Sequence, residues 1–248
     1  MRKCILLLLT FCSVTGYSQF NIHYDFTRPV GEQGEHIASA HGLSFGIEQR
    51  LQKSPFLVGA EISFNLYGLK TIQQDLPFHN GYVTTADVHY TTSFNTYGLT
   101  LKLQPESKKN FKPFGSIKAG LLHYHSNMTI DDPADPLGCR PLDKKVIAKD
   151  FTWTASAGTG ASIKWQAFNS SSASDMMIDL GVYYTVGGNA EYLKMSRSTD
   201  PVDPKGKIYY VKFEHVATGE VHDHPVGKVY TSPATMLSFR LGVRFPLD

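Results

Sequence analysis

Between Phe151 and Trp165 the odd positions are Phe151, Trp153, Ala155, Ala157, Thr159, Ala161, Ile163 and Trp165, and the even ones are Thr152, Thr154, Ser156, Gly158, Gly160, Ser162 and Lys164. Successive side chains of a strand point to opposite faces, so this segment carries one apolar face and one small, hydroxylic face. The same division recurs where Met176, Ile178, Leu180, Val182, Tyr184 and Val186 alternate with Met177, Asp179, Gly181, Tyr183 and Thr185. It returns near the end of the chain, with Leu237, Phe239, Leu241, Val243 and Phe245 set against Met236, Ser238, Arg240, Gly242 and Arg244. The pattern predicts eight strands, at Phe20–Thr27, Ala38–Leu51, Phe56–Tyr67, Thr92–Leu103, Pro113–Tyr124, Phe151–Trp165, Met176–Val186 and Ala234–Phe245.

The connections alternate in length. Gln52–Pro55, Gln104–Lys112 and Gln166–Asp175 are short and rich in turn residues, whereas Thr27–Ile37, Gly68–Thr91, His125–Asp150 and Gly187–Pro233 are long. Within the longest, Lys207–Val216 and Val221–Tyr230 can pair as a hairpin that continues the wall above the eight-stranded body.

Alternation alone does not say which face points inward. The polar face holds Gly42, Gly46, Gly59, Gly98, Gly120, Gly158, Gly160, Gly181 and Gly242 with Ser and Thr, rather than the Lys and Glu of a solvated sheet. Small residues suit the crowded inside of a narrow barrel. Bulky aromatics mark both ends of the apolar face: Phe20, Phe56, Trp165 and Phe245 at the short-turn end, and Phe26, Phe64, Phe151 and Trp153 at the other. Interfacial girdles have that placement. The expectation is an all-β, eight-stranded antiparallel up-and-down transmembrane β-barrel, with long extracellular loops, short periplasmic turns and both termini in the periplasm.

Arg2 and Lys3 precede an apolar run from Ile5 to Phe11 and then small and polar residues through Ser18, which predicts a cleaved signal over residues 1–18 and a barrel domain over 19–248. Loss of that segment takes two positive charges from the formal +2 and leaves a nearly neutral chain, which argues against nucleic acid as a partner. Cys4 and Cys12 leave with it, so Cys139 stands alone and no internal disulfide framework is possible.

In these features the chain resembles the small OmpA/OmpX-like barrels of the broad porin-like family of Gram-negative outer membranes. The resemblance rests on the signal, the eight-strand rhythm, the Pro113-Phe114-Gly115 start of a glycine-spaced strand and the terminal alternation from Leu237 to Phe245. It implies an integral cell-outer-membrane protein, monomeric, in contact with outer-membrane lipid and lipopolysaccharide. The terminal strand looks like the family's assembly signal, from which Pro246, Leu247 and Asp248 after Phe245 depart.

Five inward charges fall at similar height, Asp25, Glu61, Lys118, Asp179 and Arg240, with Glu48, Arg50, Lys102, Lys164 and Arg244 below them. They read either as an ion path or as a paired polar plug, and the width of an eight-stranded barrel favours the plug. Histidine pairs at His123/His125 and His222/His224 are weak candidates for a metal, because each lacks a third ligand at a diagnostic spacing. His125-Ser126-Asn127 is similar to the His/Ser motif of the outer-membrane lipid A deacylases, but adjacent strand residues face opposite sides. No catalytic set and no cofactor motif emerges, and the expectation is a non-enzymatic structural or surface-binding role toward an extracellular or envelope protein. A small-solute pore and a lipid A-modifying enzyme are the alternatives.

Overall fold

The computed structural model describes residues 18–52, 54–77, 83–106, 109–132, 141–167, 175–195, 207–214 and 221–247; the side chains of 76–77, 83–84, 211–214 and 221–225 are outside that description. The signal expected over residues 1–18 therefore lies outside it except for Ser18, and so does Cys139.

Strands β1 (Ser18–Pro29), β2 (Ala40–Arg50), β3 (Phe56–Pro77), β4 (Val83–Leu103), β5 (Phe111–Ile130), β6 (Asp143–Lys164), β7 (Met177–Met195) and β9 (Val221–Leu247) pair antiparallel in sequence order. The ring closes through β1 and β9, where Phe20 opposes Phe245 and Asp25 opposes Arg240. This is the closed eight-stranded barrel that the alternation predicts. Strand β8 (Lys207–Glu214) pairs with the upper part of β9, as expected for the hairpin. Strand β6 ends at Lys164 and a 3-10 turn follows at Trp165–Ala167, so Trp165 ends outside its strand.

In the lower half the apolar face points outward. Leu99, Ile117, Leu121, Phe151, Trp153, Leu180, Tyr184 and Leu241 are exposed, Trp153 to 58% and Phe151 to 56%, while Asn21, Ser44, Ser63, Lys102, Asp179 and Arg244 are buried inside. An apolar exterior around a polar core inverts the logic of a water-soluble protein and fits a wall bathed in lipid.

The upper half differs from expectation. Strands β3 to β7 and β9 run 19 to 27 residues, about twice the 9–11 that a membrane crossing needs. Most of the segments expected as long loops, Gly68–Thr91, His125–Asp150 and Gly187–Pro233, are strand. The cause is a change of surroundings. On β5 the apolar side is outward at Leu121 and inward from Leu122 through Tyr124, Met128 and Ile130. On β4 it is outward at Tyr97 and inward at Phe94, Tyr90 and Val88. Above that line the wall stands in water, so its inside must be apolar. Two adjoining clusters fill it: Phe94, Leu122, Tyr124, Tyr192, Tyr230 and Met236 with Ile37 and Tyr67, and above them Val88, Tyr90, Met128, Ile130, Ile147, Leu193 and Val226.

Strands β1 and β2 stop at the boundary, and the link between them folds as helix α1 (Gly31–His36) against β9 and β1. Gly31 turns the chain with φ of 63°, a conformation that favours glycine. Gln33 reaches inside, donating to the Tyr124 hydroxyl and accepting from the Thr235 N–H at 3.2 Å. His36 stacks on Tyr230 at 3.8 Å.

Candidate functional site: a paired lumen and the outer rim

The register decides which interior charges meet. Arg240 sits directly opposite Asp25, its Nε 2.9 Å from Oδ1, and its Nη1 donates to Glu61 Oε1 at 2.7 Å. Lys118 Nζ grips the same Glu61 carboxylate at 2.7 and 2.8 Å. Asp25, Glu61, Lys118 and Arg240 thus form one neutral layer. Asp179 is not part of it. Across β7 and β9 it opposes Gly242, one interior step below Arg240, and Arg240 opposes Gly181. That stagger gives Asp179 to Arg244, whose Nε donates to it at 3.0 Å.

The lower layer is also balanced. Arg244 donates further to Gln104 Oε1 at 3.0 Å and Gln19 Oε1 at 3.3 Å, Gln104 donates to Ser162 at 2.8 Å, and Lys102 pairs with Glu48 at 2.6 Å. His23 Nε2 lies 3.5 Å from Asp179. Arg50 turns to the lower mouth and donates to the carbonyls of Ser54 and Gln104, both at 3.1 Å. Buried charges are tolerable when paired and hydrogen-bonded, and each layer pairs two carboxylates with two cations.

Two rings shield the cations. Tyr183 lies beneath Lys118 and Arg240 at 4.3 and 4.8 Å, and Phe114 beneath Lys102 at 4.8 Å. Both rings lie over backbone that carries no side chain: a Cβ on Gly158 would collide with Tyr183, and one on Gly160 would come within 2.6 Å of Phe114 Cζ. The glycines visible as a stripe in the sequence are therefore room for rings. Above the upper layer a cavity of about 50 Å³, lined by Ser63, Asn65, Thr96, Ser156, Thr185 and Ser238 among others, ends under Phe94, Leu122 and Met236.

The histidines divide. His123 and His125 share the outer face of β5, ring centres 5.3 Å apart, with His123 flat on Phe151 at 4.0 Å. Among the described residues no group of three His, Cys, Asp or Glu is arranged to hold a metal. His222 and His224 belong to β9, but their side chains are outside the described residues. Ser126 is buried inside while His125 faces out, so the two do not share a face.

One arrangement escaped the sequence reading. His89 on β4 accepts or donates at Thr71 Oγ1 on β3, 2.8 Å away, and at Asp131 Oδ2 beyond β5, also 2.8 Å. Thr71 and Asp131 stand 18 and 42 positions from His89, and only the pairing of strands unseen in the sequence brings them together. On the outer wall they tie three strands side by side.

No family model matches the chain, and no curated protein matches it in sequence. Solved structures of similar fold include the surface protein NspA of Neisseria (9% identity, 93% of this chain and 96% of that one, TM-score 0.39). The attachment invasion locus protein Ail of Yersinia pestis is similar at 10% identity, over 93% of this chain and 99% of that one, with a TM-score of 0.38. A major outer membrane protein of Thermus thermophilus is similar at 10% identity, over 94% of this chain and 100% of that one, with a TM-score of 0.43.

Proposed function

We propose that this chain is an integral outer-membrane barrel with a closed interior, whose extended wall projects outside the cell as a binding surface while both termini lie in the periplasm. The observation that carries the reading is the switch of the apolar side at Leu121/Leu122 and Tyr97/Phe94. Below it the wall is built for lipid; above it six strands continue as a water-facing structure with its own core. A barrel needed only as a membrane plug has no use for so tall a wall. Rigid scaffolds that lift exposed connections clear of a surface are where recognition residues concentrate. Both ionic layers speak for the closed interior.

Orientation is testable with the protein's own thiol. In the sequence Cys139 falls in the connection that leaves β5 after Ile130 and enters β6 at Asp143. A membrane-impermeant maleimide should label it on intact cells, and Cys139→Ser should abolish the signal. Labelling only after lysis would place the wall in the periplasm and end this reading. For the binding role, cells displaying the protein should adhere to glycan arrays or immobilised matrix proteins above the level of cells without it. Equal adhesion on every surface would leave the wall without that role.

A further inference from the structure

The outer face of β5 and β6 changes character within two residues. Going up β6, Trp153 and Phe151 are followed by Lys149; on β5, Leu121 is followed by His123 and His125, with His125 opposite Lys149 and His123 opposite Phe151. Elsewhere the first ionisable side chains outside the apolar belt are Arg28 on β1 and His41 on β2, both exposed, with His41 opposite Phe26. Carboxylates on the outer face include Glu191, on the neighbouring strand level with Asp150, and, further out, Asp87 and Asp131. The nearest one to Lys149, Asp150, is spoken for by backbone: it accepts from the Phe151 N–H at 2.8 Å and the Glu191 N–H at 2.7 Å. Apart from Glu191, the ionisable side chains at the membrane edge are therefore basic, and no ion pair to Lys149 forms among the described residues.

We propose that His123, His125 and Lys149 form a docking point for the phosphate group of an outer-leaflet lipid headgroup, with its acyl chains running down over Phe151, Trp153 and Leu121. This rests on the orientation proposed above. Aromatic side chains settle at headgroup level, so cations immediately above them meet the phosphates. The stacking of His123 on Phe151 holds one imidazole flat against the wall, and the antiparallel register sets His125 and Lys149 side by side above it. Phosphate bound here meets the Lys149 ammonium, which no described carboxylate pairs, and the imidazole N–H groups beside it.

Trp153 reports on the site directly. With Trp165→Phe it becomes the only tryptophan, and its quenching can be compared in phosphatidylcholine vesicles carrying nitroxide-labelled phosphatidic acid or nitroxide-labelled phosphatidylcholine. Phosphatidic acid should associate about fivefold more strongly, the effect of roughly one well-placed cation at a membrane surface. The preference should fall to about onefold in H123A/H125A/K149A, survive in K149R, and be unchanged in R28A across the barrel. Heat-modifiable mobility on gels checks that each variant is folded. No preference in the parent protein, or an undiminished one in the triple variant, would overturn the proposal. So would binding of soluble inositol hexakisphosphate at this site without any lipid preference. Vesicle quenching does not depend on orientation in the cell, so it can fail while Cys139 labelling succeeds, and the reverse.

Discussion

Arg240 holds two carboxylates at once, Asp25 buried and Glu61 nearly so. Removing it leaves two buried negative charges facing only Lys118. Arg240→Met should therefore destabilise the barrel by about 3–5 kcal/mol, the usual cost of breaking a buried pair from one side. Adding Glu61→Gln should restore part of that loss, because it withdraws one of the stranded charges. Urea unfolding in vesicles, followed by tryptophan emission, measures both; an Arg240→Met protein as stable as the parent would show that the layer contributes no net stability. The glycine stripe makes a second residue-scale demand. Gly160→Val drives a side chain into Phe114 and through it disturbs the ring beneath Lys102. We expect a loss of about 1–3 kcal/mol, as for overpacked cores, against a smaller loss for Gly115→Ala, whose outward position has nothing within 4 Å.

At the scale of elements, the lower barrel was legible because lipid outside and polar groups inside impose one unbroken alternation. The interior pairs Asp25–Arg240 and Glu61–Lys118 were legible as neighbours in height, but Asp179 was misplaced because shear is a property of the closed ring and not of any one strand. The upper wall was hidden for two physical reasons. Its apolar side is the inner one, so the hydrophobic phase reverses along β4 and β5 without any break in the strand. Elsewhere the backbone itself slips. Tyr67 is an extra residue between the Leu66–Ser93 and Gly68–Thr92 pairs, Ile147 is extra between Ala148 and Val146, and Gly187–Gly188 interrupt β7. Such bulges reset which side chains face in. Tyr67 uses its extra place to turn inward and donate to the Leu193 carbonyl at 3.1 Å, joining β3 to β7 across the interior. Deleting Tyr67 should make Leu66–Ser93 and Gly68–Thr92 consecutive pairs, leaving Leu69 out and Ile72 in while removing the bridge from Tyr67 to the Leu193 carbonyl. The membrane half should still assemble and resist detergent, while the upper wall of the protein in vesicles becomes open to added protease. Protection equal to the parent would mean that the Tyr67 bridge does not hold the upper wall together.

For the whole molecule, the interior decides between a pore and a plug. An ion crossing it would first displace Arg244 from Asp179 and Gln104, then part Arg240 and Lys118 from Glu61, and finally pass Phe94, Tyr67 and Tyr124 beneath α1. These barriers lie in series, and each layer is neutral, so no standing charge draws an ion inward to offset the desolvation it would suffer. The cavity between the upper layer and the aromatic roof is about 50 Å³, room for about three to five waters enclosed between those barriers. In planar bilayers the protein should therefore show no stable conducting steps. Gln33→Ala, which unhooks α1 from Tyr124, should remain equally silent, because the two charged layers are untouched. Steps appearing in Gln33→Ala alone would make the helix the true seal, and a large stable conductance in the parent protein would replace the plug with a pore.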